Sequence, residues 1–455
     1  MPGRQSRRHV LATIAALPLT GALSACGGGG GDTRSGGTSS TGRTVSSGNG
    51  RKTRITFWSA LRGSQEVVDA FNRGHDTIQV DFQQIPSGGQ GGYAKLSNAA
   101  RAGNAPDIAT IEYPQVPGFA MDGVCRDLTG LMSDGLRAKL LPQALGLTTF
   151  EKRVFSVPLD IEPMVMHYRT DLFERYGLTV PRTWEEFEDT ARTVRRKGDE
   201  RRMALFPTDG DTHFAAWSWQ AGARWFDTSG GAWNLSLADA PTRRVAAYWQ
   251  RLTDQHLVFM NASESRQSDA QIAGGAVLSR LSGAWDAGAQ MKARPGQKNR
   301  WAIAPLPQWD PADPGVGTHG GSTFAVTRDS TAPEAAMEFI EWQVSHPDAL
   351  RARLSSGASS QYPAAPGLVD VGREAFDRSY YGGQDIYSLF EREALKIRAG
   401  WTWGPRMTAT GKLMKDGFAR ASGGQGDILG AVRAAEAGTV PDLEALGLST
   451  TRHST

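Results

Sequence analysis

Two acids, Asp160 and Glu162, stand between Pro158 and Pro163 with an apolar run on either side. Residues two apart in an extended chain point the same way, so the pair has chemical readings. Carboxylates about 5–5.5 Å apart suit a retaining glycoside hydrolase. Carboxylates at a chain crossing can instead accept hydrogen bonds from a polar solute. A third reading is inert: a bend inside one sheet with two solvated acids. Val154, Phe155 and Val157 read as one buried strand and Met164-Val165-Met166 as another, while Pro163 disturbs any continuous strand between them. That pattern points to a crossover between two bodies with polar groups left at the junction.

Other chemistries find little support. The chain has no G-x-S-x-G, H-E-x-x-H or Walker-type loop; Gly404 and Gly411-Lys412 are separated by six residues where a P-loop has four. Its two cysteines, Cys26 and Cys125, exclude a disulfide framework and a cysteine-based zinc site. Cys125, beside Val124 and Leu128, reads as a buried thiol with no redox role. No metal and no cofactor is expected. The net charge of +3 is carried by Arg4, Arg7 and Arg8, which precede any acid, and no basic stripe follows, so nucleic acid is not an expected partner.

A chain of 455 residues exceeds one ordinary core and calls for two or three domains. Strands are expected at 54–58, 78–82 and 105–111, with helices from Ser64 as N-cap and over Tyr93–Ala102 between them. Strand and helix in alternation give a parallel, doubly wound sheet, with ligands beyond the carboxyl ends of its strands, at Trp58 and at Glu112-Tyr113. Asp171 to Tyr176 is an amphipathic helix closed by Gly177, and Thr183-Trp184-Glu185-Glu186 a capping box. The 13 tryptophans exceed what a core needs and point to a surface for flat apolar faces.

The amino-terminal stretch has a basic start, an apolar middle and small residues at the cut, the build of a signal peptide over residues 1–25. Leu23-Ser24-Ala25-Cys26 resembles the lipobox of bacterial lipoproteins, which implies lipidation of Cys26. Ser6-Arg7-Arg8-His9-Val10-Leu11 resembles a twin-arginine export motif. Residues 26–53 then form a Gly/Ser/Thr-rich tether; about 26 flexible residues reach roughly 28 Å. The expected location is the outer face of the cytoplasmic membrane, with a tail at 447–455.

An ordered series of segments resembles one family. ITFW (55–58), AFN (70–72), AGNAPDI (102–108), VFSVPLD (154–160), HYRTDLFERYGL and PRTWEEF (167–187), AGGAVLSRLSGAW (273–285), APLP (304–307), GGSTFAV (320–326) and EAAMEFIEW (334–342) follow in its order. It is the family of extracellular solute-binding proteins, group 1, the sugar-binding lipoproteins of bacterial ATP-binding-cassette (ABC) importers. His167-Tyr168-Arg169 replaces that family's Tyr-Asn and Leu278 its methionine, departures that bear on the ligand. The resemblance implies a periplasmic-binding-protein-like α/β fold, each lobe a doubly wound sheet flanked by helices, with the ligand cleft between. Lobe 1 would take 54–160 plus 324–370 and lobe 2 165–320 plus 375–446, with crossovers near 160–164, 320–324 and 366–380. The implied function is capture of a mono- or oligosaccharide by lobe closure and delivery to a membrane permease, by a monomer that is not an enzyme. Glycerol phosphate or another small polar solute is the alternative, a secreted glycoside hydrolase a remoter one.

A sugar offers C–H patches to aromatic faces and hydroxyls to planar polar groups. Five places pair such residues: Trp58 with Arg62; Glu112 with Tyr113; Asp160 with Glu162; Trp285 with Asp286; and Trp401 and Trp403 with Arg406. Trp217, with His213 one turn earlier, is preferred over Trp219, and Gly320-Gly321 can offer backbone N–H groups or permit a tight crossing. Trp184, Trp249 and Trp342 are expected in the core.

Overall fold

A computed structural model describes residues 52–198, 200–228 and 232–452. The signal peptide, Cys26, most of the tether and the last tail residues lie outside the described residues. No helix among the described residues is long and apolar enough to cross a membrane.

The first lobe is built on a five-stranded sheet. Strand β1 (Thr53–Ser59) lies between β2 (Ile78–Gln84) and β3 (Ile108–Glu112), both parallel to it. Strand Ser322–Val326 returns antiparallel beside β3, and the short Val157–Pro158 strand closes the far edge. Strand period decides the faces. Ile55, Phe57 and Ile108 point to one side, where Phe57 meets Phe324 and Phe339 at ring distances of 5.6 and 5.7 Å. Ala109 and Ile111 point to the other, over Leu96, Phe119 and Cys125. Burial on both faces is what a doubly wound sheet requires. Burial also pushes the Cys125 thiol up to about 12, so it stays protonated.

The second lobe centres on strand Met164–Arg169, antiparallel to Ser279–Gly283 on one side and to Trp301–Pro305 on the other. Its aromatic core stacks Trp217 on Trp249 at 4.2 Å and sets Trp184, Phe206 and Phe214 around them. The capping box works across one more residue than expected. Thr183 Oγ1 accepts from the Glu186 N–H at 3.1 Å, while the Glu186 carboxylate accepts from the Arg182 N–H at 2.6 Å. At the other early helix, Gly63 rather than Ser64 is the cap. Its φ is +78°, and a Cβ there would sit 2.5 Å from the Arg353 carbonyl oxygen, so only glycine allows the approach.

Three chain segments run side by side between the two sheets. Leu159 N–H donates to Ser322 O at 2.9 Å, His319 N–H to Glu162 O at 3.0 Å, and Met164 N–H to Gly317 O at 3.0 Å. On the other side, Ile161 N–H donates to Tyr362 O and Ala364 N–H to Leu159 O, both at 3.0 Å. The third member of this ribbon is therefore 361–364, ahead of the 366–380 span expected, because Pro366–Leu368 already turns into the helix Val369–Ala375.

Candidate functional site: the lobe junction

The acids of the opening motif lie in the ribbon and have different surroundings. Asp160 Oδ1 accepts from the Ser322 N–H at 2.6 Å, and the Asp160 carbonyl accepts from the Tyr113 hydroxyl at 2.7 Å. Tyr113 is thus a buried prop for the crossing; a Cβ on Gly321, whose φ is +101°, would meet its ring at 2.6 Å. Glu162 is 1% exposed, and no donor among the described residues meets either of its oxygens in hydrogen-bonding geometry. Burial pushes the Glu162 carboxyl well up and neighbouring Asp160 pushes it further, against a partial offset from the Trp285 and Tyr362 amides and from Arg62. Asp160 is raised by the same burial, offset by the Ser322 amide and by Arg353.

Arg353 is a residue the sequence reading missed. It is 2% exposed, donates to the Arg62 carbonyl at 3.3 Å and to Gln343 Oε1 at 3.1 Å, and its charge partly offsets the rise of Asp160. A signal was present: in Ala349-Leu350-Arg351-Ala352-Arg353-Leu354 the arginine occupies the apolar stripe of its helix.

Trp285 stands half-buried where the lobes meet. Its Nε1 donates to His319 O at 2.9 Å, and Arg62 of the first lobe reaches over its ring at 5.7 Å. Gly320, with φ +89°, lets this indole approach; a Cβ there would lie 2.8 Å from Trp285 Nε1. His319, also missed, packs its ring 3.6 Å from that of His213. Burial lowers both imidazoles, His213 to about 3, so both are neutral.

Other expectations are corrected. Trp217 is 1% exposed and spends its face on Trp249, in the core of the second lobe. Asp286 is committed to Arg280 at 2.9 Å and to Gln290. Burial alone would raise its carboxyl, but Arg280 holds it well below the usual range. Trp401 stacks on Trp219 at 5.0 Å and 8°, and Trp403 packs edge-on beside both, so the pair belongs to the second lobe's aromatic cluster. Arg406 pairs with Asp122 of the first lobe at 3.3 Å, so it joins the lobes rather than waiting for a ligand. Trp58 lies under Lys95, whose Nζ is 4.3 Å from its ring centroid. Trp342 is only partly buried, against Phe71 and His346. Glu112, at the end of β3, accepts from the Tyr93 hydroxyl at 2.9 Å. The structure therefore gathers Arg62, Glu112, Asp160, Glu162, His213, Trp285 and Gly320-Gly321 at the junction, while Trp217, Asp286, Trp401 and Trp403 are buried against partners in the second lobe.

Two α/β lobes joined by a three-segment ribbon, with an indole and carboxylates between them, define a two-lobed binding protein. Residues 59–349 match the family model described as bacterial extracellular solute-binding protein, and the chain belongs to that family. It is 27% identical over 199 residues to the lactose-binding protein of Rhizobium radiobacter, covering 43% of this chain and 46% of that one. It is 24% identical over 309 residues to the arabinooligosaccharide-binding protein of Bacillus subtilis, covering 65% and 70%. The alignments to the lactose-binding protein and to a putative binding protein of Brucella abortus span less than half of those relatives' lengths. Among solved structures, the galacto-N-biose-/lacto-N-biose I-binding protein of the ABC transporter from Bifidobacterium longum superposes with a TM-score of 0.79 at 24% identity, over 89% of this chain and all of that one.

Proposed function

We propose that this chain is the extracytoplasmic solute-binding component of an ABC importer, and that it captures a mono- or oligosaccharide between its lobes. The observation that carries this reading is Trp285. It presents an indole at the lobe junction, positioned by His319 and Gly320, with Arg62 across from it and the Glu162 carboxylate behind. An aromatic face with planar polar groups on both sides suits the alternating C–H and O–H surface of a sugar. The names of the relatives, binders of lactose and arabinooligosaccharides, support the same class.

In this reading the ribbon is the hinge, lobe 1 takes 54–160 and the chain from about 322 to 361, and lobe 2 takes 164–317 and the chain from about 365 on. Ligand contacts with both lobes favour the closed form, which docks on a permease. The leader and Cys26 anchor the protein to the membrane, with export by the twin-arginine route. The chain acts as a monomer and turns nothing over. Titration of a sugar panel against glycerol phosphate, followed by tryptophan fluorescence, tests the proposal. A saturable response to a sugar supports it; a response to glycerol phosphate alone, or release of product from a glycoside, overturns it.

A further inference from the structure

The loop that follows strand β1 carries Arg62, the first-lobe group that reaches over Trp285. Its side chain is exposed, but the backbone beneath it is pinned before and after. Ser59 Oγ, fully buried, accepts from the Leu61 N–H at 3.0 Å and meets the hydroxyls of Thr110 and Ser64 at 2.9 and 3.1 Å. The Leu61 carbonyl accepts from the Ser64 N–H at 3.3 Å. Arg353 supplies the rest. Its Nη1 donates to the Arg62 carbonyl at 3.3 Å, and its own carbonyl lies where a Cβ on Gly63 would come within 2.5 Å. Its Nη2 donates to Gln343 Oε1 at 3.1 Å, which ties this clamp to the helix Pro333–Ser345. No carboxylate among the described residues pairs with this buried guanidinium; both of its acceptors are neutral carbonyl oxygens. Burying such a charge is costly, and an apolar side chain of similar volume would serve packing as well. What an apolar side chain lacks is a rigid fork of donors that can hold two acceptors at once. One of those acceptors belongs to the residue that covers the indole.

We propose that Arg353 is a positioning residue for the solute site: it holds the Arg62 backbone so that the Arg62 guanidinium stands over Trp285. This rests on the reading of Trp285 as a solute-binding surface given above. Arg353 acts through Arg62 and not through the solute. Its charge alone is not enough, because a lysine ammonium on its flexible stem cannot hold the Arg62 carbonyl and Gln343 Oε1 in the same fixed geometry.

The test uses the full chain labelled with fluorotryptophan, in which the fluorine resonance of Trp285 is the one lost in Trp285→Phe. Without ligand, Arg62→Ala should move that resonance by removing the guanidinium over the ring. Arg353→Met and Arg353→Lys should each move it in the same direction, and neither should move it further in the Arg62→Ala background. Gln343→Met, which removes the second anchor of Arg353 from another helix, should give a smaller displacement of the same sign. For the sugar that binds the wild type best, Arg353→Met should weaken binding by about two- to tenfold. It should cause no further loss in the Arg62→Ala background. Each variant should keep a cooperative unfolding transition; if Arg353→Met does not, the lysine and Gln343 variants carry the test. A Trp285 resonance left in place by these variants, full recovery by lysine, or losses that add to that of Arg62→Ala would overturn the assignment. Absence of any sugar response overturns the sugar reading alone, because the resonance reports the Arg62–Trp285 contact in the ligand-free protein.

Discussion

At the residue scale, Glu162 and Asp286 are buried carboxylates in opposite circumstances. No donor among the described residues meets Glu162 in hydrogen-bonding geometry, and burial raises it; Asp286 has Arg280, which lowers it. The pH consequences have opposite signs. A carboxyl raised in the folded protein binds more protons there than in the unfolded chain, so its contribution is best at acid pH and is lost as pH rises through the raised value. Glu162→Gln imitates the protonated acid at every pH. It should stabilise the protein at pH 8 by at least about 1 kcal/mol, since each pH unit over which the wild-type carboxyl is kept protonated costs about 1.4 kcal/mol, with the gain fading towards pH 4. Urea unfolding at the two pH values measures this; an equal gain at both would show that Glu162 is not the titrating group. Asp286→Asn does the reverse. It leaves Arg280 as a buried unpaired charge and should cost about 3–5 kcal/mol at pH 7, less as pH falls through the ordinary carboxylate range. The sequence displayed these acids but not their fates, because Arg353 and the Ser322 amide come from distant segments and Arg280 reaches Asp286 only across the turn between its strand and the next helix.

At the element scale, local rules read well wherever a single segment decides its own structure. The capping residue Thr183, the Gly177 stop with φ +60° and the alternation in β2 were all legible. Ser64 misled because the cap must bring the chain against Arg353, which is a tertiary demand, and glycine meets it. Trp217 misled for the same kind of reason. Helical spacing showed that Trp217 and Trp219 point apart, but Trp249 and Trp401, distant in sequence, cover both. Gly320 is where element geometry reaches the site. Gly320→Ala places a methyl against Trp285 Nε1 in a left-handed backbone, so the indole must shift or the crossing must bend. The expected outcome is a loss of stability above about 1 kcal/mol together with a changed Trp285 emission and weaker ligand binding. Unchanged emission and affinity would mean that the crossing does not position the indole.

At the scale of the whole molecule, the ordered motifs made the two lobes readable but said nothing of how their surfaces meet, since those contacts join residues hundreds of positions apart. Besides the ribbon, the Arg62–Trp285 contact and the Gln90–Glu264 bond, the lobes touch where Arg406 reaches Asp122, where Thr408 Oγ1 donates to Gln115 Oε1 at 2.5 Å, and where Gly118 allows the Pro405 carbonyl close to the first lobe. The last three involve the 405–408 segment, which follows Trp401 and Trp403 and is anchored through them to the second lobe's aromatic cluster. If the lobes open about the ribbon, these contacts break while the ribbon survives, so they stabilise only the closed arrangement. Exposed pairs of this kind are each worth about 0.2–1 kcal/mol, enough to shift a two-state balance several-fold without touching the ligand. Asp122→Ala combined with Thr408→Ala should therefore weaken sugar binding by about three- to tenfold and leave the unfolding midpoint nearly unchanged. Small-angle scattering should show a larger ligand-free radius of gyration for the double variant than for the wild type. Both should converge on the same compact value at saturating ligand, since ligand contacts with both lobes restore what the segment no longer supplies. A double variant as compact as the wild type without ligand would mean that the 405–408 contacts do not govern closure.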